Sequence, residues 1–112
     1  MMNILKMRPI KQKEIEIIKK LCNNQFKIPE LIRNLNDNHM GSISFDIENK
    51  QARQKSIAAA EYIDIDGVLV DIELSIDEEG NLFELDFWKV DFSELKEYPT
   101  FDKLKVRIPD EG

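Results

Sequence analysis

From Gly41 to Asp91 the apolar residues of this chain fall at every second position, whereas before Gly41 they recur at three- and four-residue spacing. Alternation at period two sets one side of a strand against a core, and spacing of three and four does the same for a helix. A first helix is therefore expected over residues 11–23. Ile15, Ile18, Leu21 and Cys22 form its stripe with Ile17 beside them, and Lys13, Glu14, Glu16, Lys19 and Lys20 face water. A second, shorter helix is expected from Pro29, whose fixed φ suits a first turn. Glu30 complements its dipole, and Leu31, Ile32 and Leu35 are its stripe. Asn34, Asn36, Asp37, Asn38 and then Gly41 close it.

Beyond Gly41, Ile43, Phe45 and Ile47 alternate with Ser42, Ser44 and Asp46, which predicts a first half-buried strand. A polar connection over 48–55 leads to a second strand at 57–65. Asp66-Gly67 favours a two-residue type I′ turn. A third strand follows at 68–76, a turn at 77–81, a fourth strand at 82–90, and a short last one through Leu104, Val106 and Ile108. The I′ turn sets Ile63 opposite Val70 and Glu61 opposite Ile72, with Asp64–Leu69, Tyr62–Asp71 and Ala60–Glu73 on the reverse face. In the next hairpin Ile76–Phe83, Leu74–Leu85 and Ile72–Phe87 share one face, and Ser75–Glu84, Glu73–Asp86 and Asp71–Trp88 the other. The expected fold is a single α+β domain over 1–112: two N-terminal helices packed on one face of a mainly antiparallel four- or five-stranded meander.

Charge sharpens this picture. The net charge of −6 hides a division: residues 1–60 carry +5, residues 61–91 carry −10, and residues 92–112 carry −1. The middle segment holds eleven acids against one base, Lys89. A pI near 4.8 argues against direct nucleic-acid binding, which needs a dense basic surface. Ile4, Leu5 and Met7 are interrupted by Lys6 and Arg8, so neither a signal peptide nor a membrane span is expected, and the chain reads as cytoplasmic. A lone cysteine, Cys22, excludes an intramolecular disulfide and sits in an apolar stripe as a small core residue.

The expected acidic face holds Asp64, Asp71, Glu73, Glu84 and Asp86, with Tyr62 and Trp88 among them. A solvated face kept for solubility is the plain alternative. Against it, like charges opposite each other across strands are destabilising, and Trp and Tyr are residues that anchor interfaces. Asp64-Ile65-Asp66-Gly67 and Asp77-Glu78-Glu79-Gly80-Asn81 resemble openings of calcium loops but lack the later ligands and the closing Glu. One His and one Cys are too few for zinc, so neither metal nor cofactor is expected. His39 lacks a nucleophile partner, and the Glu73–Asp86 pair would need a cleft to raise one pKa over the other. In Trp88-Lys89-Val90-Asp91-Phe92 the apolar phase flips away from Phe83, Leu85 and Phe87. This suggests a bulge, with Val90, Phe92 and Leu95 wrapping a second small core or offering a partner-binding edge.

Gly41-Ser42-Ile43-Ser44-Phe45, Tyr62-Ile63-Asp64-Ile65-Asp66-Gly67 and the 82–92 run with its Trp-Lys-Val-Asp-Phe phrase resemble a family of small bacterial proteins without assigned activity, over about residues 8–99. In size and acidity the chain is also similar in kind to the immunity proteins of contact-dependent and polymorphic toxin systems, whose nuclease toxins are typically basic. The expectation is a non-enzymatic binding protein, an immunity protein that neutralises a basic toxin domain through Tyr62, Asp64, Asp71, Glu73, Glu84, Asp86 and Trp88. A homo-oligomeric structural or regulatory domain pairing through a strand edge is the alternative, and a carboxylate-dependent enzyme a more distant one.

Overall fold

The computed structural model describes residues 7–36 and 39–109. Among them, one α-helix, α1 (Gln12–Cys22), accompanies seven strands: β1 (Met7–Pro9), β2 (Leu31–Asn34), β3 (Ile43–Ser44), β4 (Arg53–Ile63), β5 (Leu69–Asp77), β6 (Leu82–Lys89) and β7 (Lys105–Arg107). All seven form one sheet in the order β1-β2-β3-β6-β5-β4-β7, with every neighbouring pair antiparallel. This corrects the expected α+β arrangement of two helices over a four- or five-stranded meander.

The second expected helix is β2. A helix confined to residues 29–35 would close too few backbone bonds to offset nucleation. As a strand, the same residues pair on both sides, Arg8↔Ile32 with β1 and Arg33↔Ser44 with β3. The side chains agree, since Ile32 is fully buried while Leu31 is exposed. β1 escapes sequence reading because it is three residues long, and its Pro9 is tolerated because the strand is an edge. Asp37 and Asn38, assigned to the helix terminus, lie outside the described residues.

α1 forms as its pattern predicts, burying Ile17, Ile18, Leu21 and Cys22. It lies over β4, where Ala58 and Ala60 leave room for close approach. Its first turn is closed by Glu14, whose carboxylate accepts the Lys11 N–H at 2.9 Å and two Arg8 guanidinium bonds at 3.1 and 2.6 Å, tying β1 to the helix. Asn23 ends it in the left-handed region (φ 53) and donates its N–H to the Lys19 carbonyl. Beneath the helix the covered face of the sheet carries Ile32, Ile43, Tyr62, Val70, Ile72, Leu74, Leu85 and Phe87, all buried.

The two long hairpins turn in the same way. In Asp64-Ile65-Asp66-Gly67 the Gly67 N–H donates to the Asp64 carbonyl (2.8 Å) and the Asp64 N–H to the Val68 carbonyl (3.0 Å); in Asp77-Glu78-Glu79-Gly80 the corresponding bonds are 3.1 Å and, from Asp77 to Asn81, 2.9 Å. Each turn places only its glycine at positive φ, +82 at Gly67 and +85 at Gly80. This is a three-residue loop with a glycine bulge, not the type I′ turn expected at Asp66-Gly67. The extra residue shifts β4 by one position, so that Tyr62 pairs with Val70 and Glu61 with Asp71. Tyr62 therefore joins the covered face, while Glu61 and Ile63 move to the open one. Between β5 and β6 the expected register holds from Asp71↔Trp88 to Ser75↔Glu84, and a shift near the turn sets Ile76 opposite Leu82 rather than Phe83.

Candidate functional site

β6 supplies two different sites from its two faces. On the covered side the phase of Leu85 and Phe87 continues without a flip into Lys89, which is fully buried. Its ammonium donates to Asp64 Oδ2 at 2.8 Å, Asp66 Oδ2 at 2.6 Å and the Glu94 carbonyl at 3.0 Å, using all three protons. Asp64 also accepts backbone N–H bonds from Ile65 (2.7 Å), Lys96 (2.7 Å) and Glu97 (3.1 Å). Burial pushes the Asp64 carboxyl up, but the Lys89 ammonium and these three N–H groups outweigh it and hold it below its ordinary value. The cluster clamps the first hairpin turn and the 93–97 segment onto the end of β6. Asp64 is thus 2% exposed and Tyr62 4%, its hydroxyl donating to the Glu97 carbonyl. Both belong to the interior, which corrects their placement on the acidic face.

The open side brings the remaining expected residues together. Asp71 faces Trp88, Glu73 faces Asp86, and Glu84 follows beside Ser75. Arg107, reached because β7 pairs with β4, covers one edge: its Nε lies 3.6 Å from Glu61 and its Nη2 3.5 Å from Asp71. Toward the other end Arg53 donates to the Ser56 hydroxyl (2.8 Å), which donates to Glu73 Oε1 (2.8 Å). Burial, the Glu84 charge and hydrogen bond, and the Glu73 charge push the Asp86 carboxyl up to about 7, with Arg53 pulling the other way. The expectation that neither carboxyl of the Glu73–Asp86 pair would be raised is corrected by this crowding.

Next to the carboxylates the face turns apolar. Trp88 is 50% exposed and Phe92 62%, their rings 4.9 Å apart and nearly perpendicular. Val90 and Ile63 are exposed as well. Of the expected second core, only Leu95 packs against the main one; Val90 and Phe92 do not, because residues 89–92 form a tight turn with the Phe92 N–H on the Lys89 carbonyl. Phe92 adopts φ 66, a strained conformation for an aromatic residue. Carboxylates and rings together wall a concavity of about 660 Å³ that also touches Asn36 and Ser42.

Sequence reading missed Lys89, Asp66, Arg107 and Ile63. The signal for Lys89 was present: it is the one base among eleven acids, and it stands in the apolar phase of its strand. Arg107 had no such signal, since nothing local says that residues 105–107 pair with β4. The two turns likened to calcium loops are hairpin turns whose first aspartate binds backbone N–H groups; Asp77 Oδ1 accepts from Glu79 and Asn81. Among the described residues, no three His, Cys, Asp or Glu side chains are grouped to hold a metal ion, and no helix is long and apolar enough to cross a membrane.

One helix over one face of a curled antiparallel sheet, with the opposite face left to carboxylates and aromatic rings, describes a small domain that presents a sheet surface. The chain belongs to a family described as a domain of unknown function, DUF6984, whose model matches residues 7–99. No curated protein and no solved structure matches it.

Proposed function

We propose that the chain is a binding protein that takes a cationic protein surface on its open sheet face, and in the most specific form an immunity protein that neutralises a basic bacterial toxin domain such as a nuclease. One observation carries this reading: Glu73, Glu84 and Asp86 lie together across β5 and β6, on a face where Trp88 and Phe92 stand exposed. Crowded like charges favour a partner that brings positive charge, and exposed rings favour one that brings apolar area. Partner residues come from Asp71, Glu73, Glu84, Asp86 and Trp88, with Phe92 added. Pairing through a strand edge has less support, because the terminal strands are three residues each and β4 carries two register shifts, between Arg53 and Lys55 and between Ser56 and Ala58.

The test is to identify the gene next to this chain's and, where it encodes a basic toxin domain, to co-express the two; a neighbour of any other kind counts against immunity. Wild type should protect, the double variant Glu73→Lys with Asp86→Lys should fold and fail to protect, and association should slow as salt rises. Equal protection by a folded double variant removes the acidic face from the function. A second reading, acid–base chemistry, is favoured by Asp86 alone, since a carboxyl pushed up to about 7 by burial and by neighbouring acids has the form of a general acid. It requires turnover that Asp86→Asn abolishes.

A further inference from the structure

We propose that the partner inserts an arginine side chain into the groove between the Glu73–Asp86 carboxylate pair and the Trp88–Phe92 ring pair. This rests on the reading above, that the open face meets a cationic protein, and names the group it recognises. The molecule already shows a guanidinium on this face: Arg107 approaches Asp71 and Glu61 at 3.5 and 3.6 Å. Farther along the face the balance changes. Glu73, Glu84 and Asp86 lie together on β5 and β6, and Arg53 reaches Glu73 through the Ser56 hydroxyl. Burial and the crowding of Glu84 and Glu73 push the Asp86 carboxyl up to about 7, with Arg53 pulling the other way.

Arginine fits better than lysine for geometric reasons. Glu73 and Asp86 are direct cross-strand partners on one face, so their oxygens border a common space. A planar guanidinium presents a fork of donors to two carboxylates and a flat face to an indole, whereas an ammonium offers a point charge. The concavity of about 660 Å³ leaves room for the side chain between these walls. Trp88, half exposed on its wall, is the chain's single tryptophan, so its fluorescence reports on the groove directly.

The full chain is titrated with deca-arginine and with deca-lysine at physiological salt, followed by Trp88 fluorescence and by calorimetry. Deca-arginine should bind about tenfold more tightly than deca-lysine and perturb Trp88 more. Glu73→Gln and Asp86→Asn should each remove that preference without lowering the melting temperature. Should either isostere melt early, Trp88→Leu, at an exposed position, serves by calorimetry and should lose the preference too. Equal affinity for the two peptides, abolished by the double lysine variant, overturns arginine insertion while leaving the cationic-partner reading standing. Failure of both peptides to bind overturns both.

Discussion

On the covered side of β6, Leu85 and Phe87 lead to a buried lysine with two carboxylates and a carbonyl around it; one residue away on the open side, Asp86 sits between Glu84 and Glu73. Both Asp64 and Asp86 are pushed up by burial, yet Asp64 ends below its ordinary pKa and Asp86 near 7. What separates them is the set of neighbours. Asp64 accepts an ammonium and three backbone N–H bonds, and Asp86 meets mainly other acids. Charge on one face is matched within the fold, and charge on the other crowds like charge on an open surface.

The largest test of this contrast is Asp64→Ala, which removes one of the two carboxylates on the buried Lys89 ammonium and strands three backbone donors. It should destabilise by about 3 to 5 kcal/mol in denaturant melts. A loss below about 1 kcal/mol would mean that the clamp does not hold the turn to the 93–97 segment. Leu85→Ala, on the same covered face, should lose about 2 to 5 kcal/mol through the cavity it leaves. Glu84→Ala next to it should not, and similar losses from the two would erase the distinction between faces.

Gly67→Val should come next, at about 1 to 3 kcal/mol from backbone strain. A Cβ there meets nothing within 4 Å, so the cost lies in φ alone and Gly67→Asn should be milder. Identical melts for the Val and Asn variants would contradict the glycine bulge.

The pH dependence has opposite signs on the two faces. Asp64, with a lowered folded pKa, stabilises above its ordinary value of 3.8 and loses that contribution as acid protonates the folded form. Asp86, raised to about 7, does the reverse: the folded state binds its proton more tightly, so stability falls as pH rises from about 4 to about 7. The groups facing it are Glu84 on β6, Glu73 on β5 and Arg53 on β4. Asp86→Asn should therefore flatten the melting profile across that window and melt higher than wild type at pH 8. An unchanged profile would locate the raised group elsewhere. Smallest of all should be the stability change in Glu73→Lys with Asp86→Lys, within about 1 kcal/mol, since it exchanges one cross-strand like-charge pair for another at the surface. A large loss would show these acids to be structural like Asp64.

Much of the open face was legible before folding was considered. Alternation over 68–76 and again over 83–88, with the turn between, placed Asp71, Glu73, Glu84, Asp86 and Trp88 together, because side-chain period in a strand is a local property. The second helix was misread because Leu31, Ile32 and Leu35 satisfy helical spacing over too short a window to decide. Tyr62 and Asp64 were misplaced by one residue in one turn: Asp-Gly suits a two-residue loop, whereas the loop formed has three residues and brings Asp64 to Lys89.

The amino-acid sequence by itself determined the amphipathic helix, the alternation of β5 and β6, and the concentration of eleven acids into 31 residues. Each follows from periods and charges that neighbours along the chain express without help. Tertiary structure alone decided that residues 31–34 would be a strand, that β7 would bring Arg107 over Asp71, and that Lys89 would be interior while Asp86 stayed at the surface. These depend on partners distant in sequence, whose hydrogen bonds and charges outweigh local preference once the backbone has closed around them.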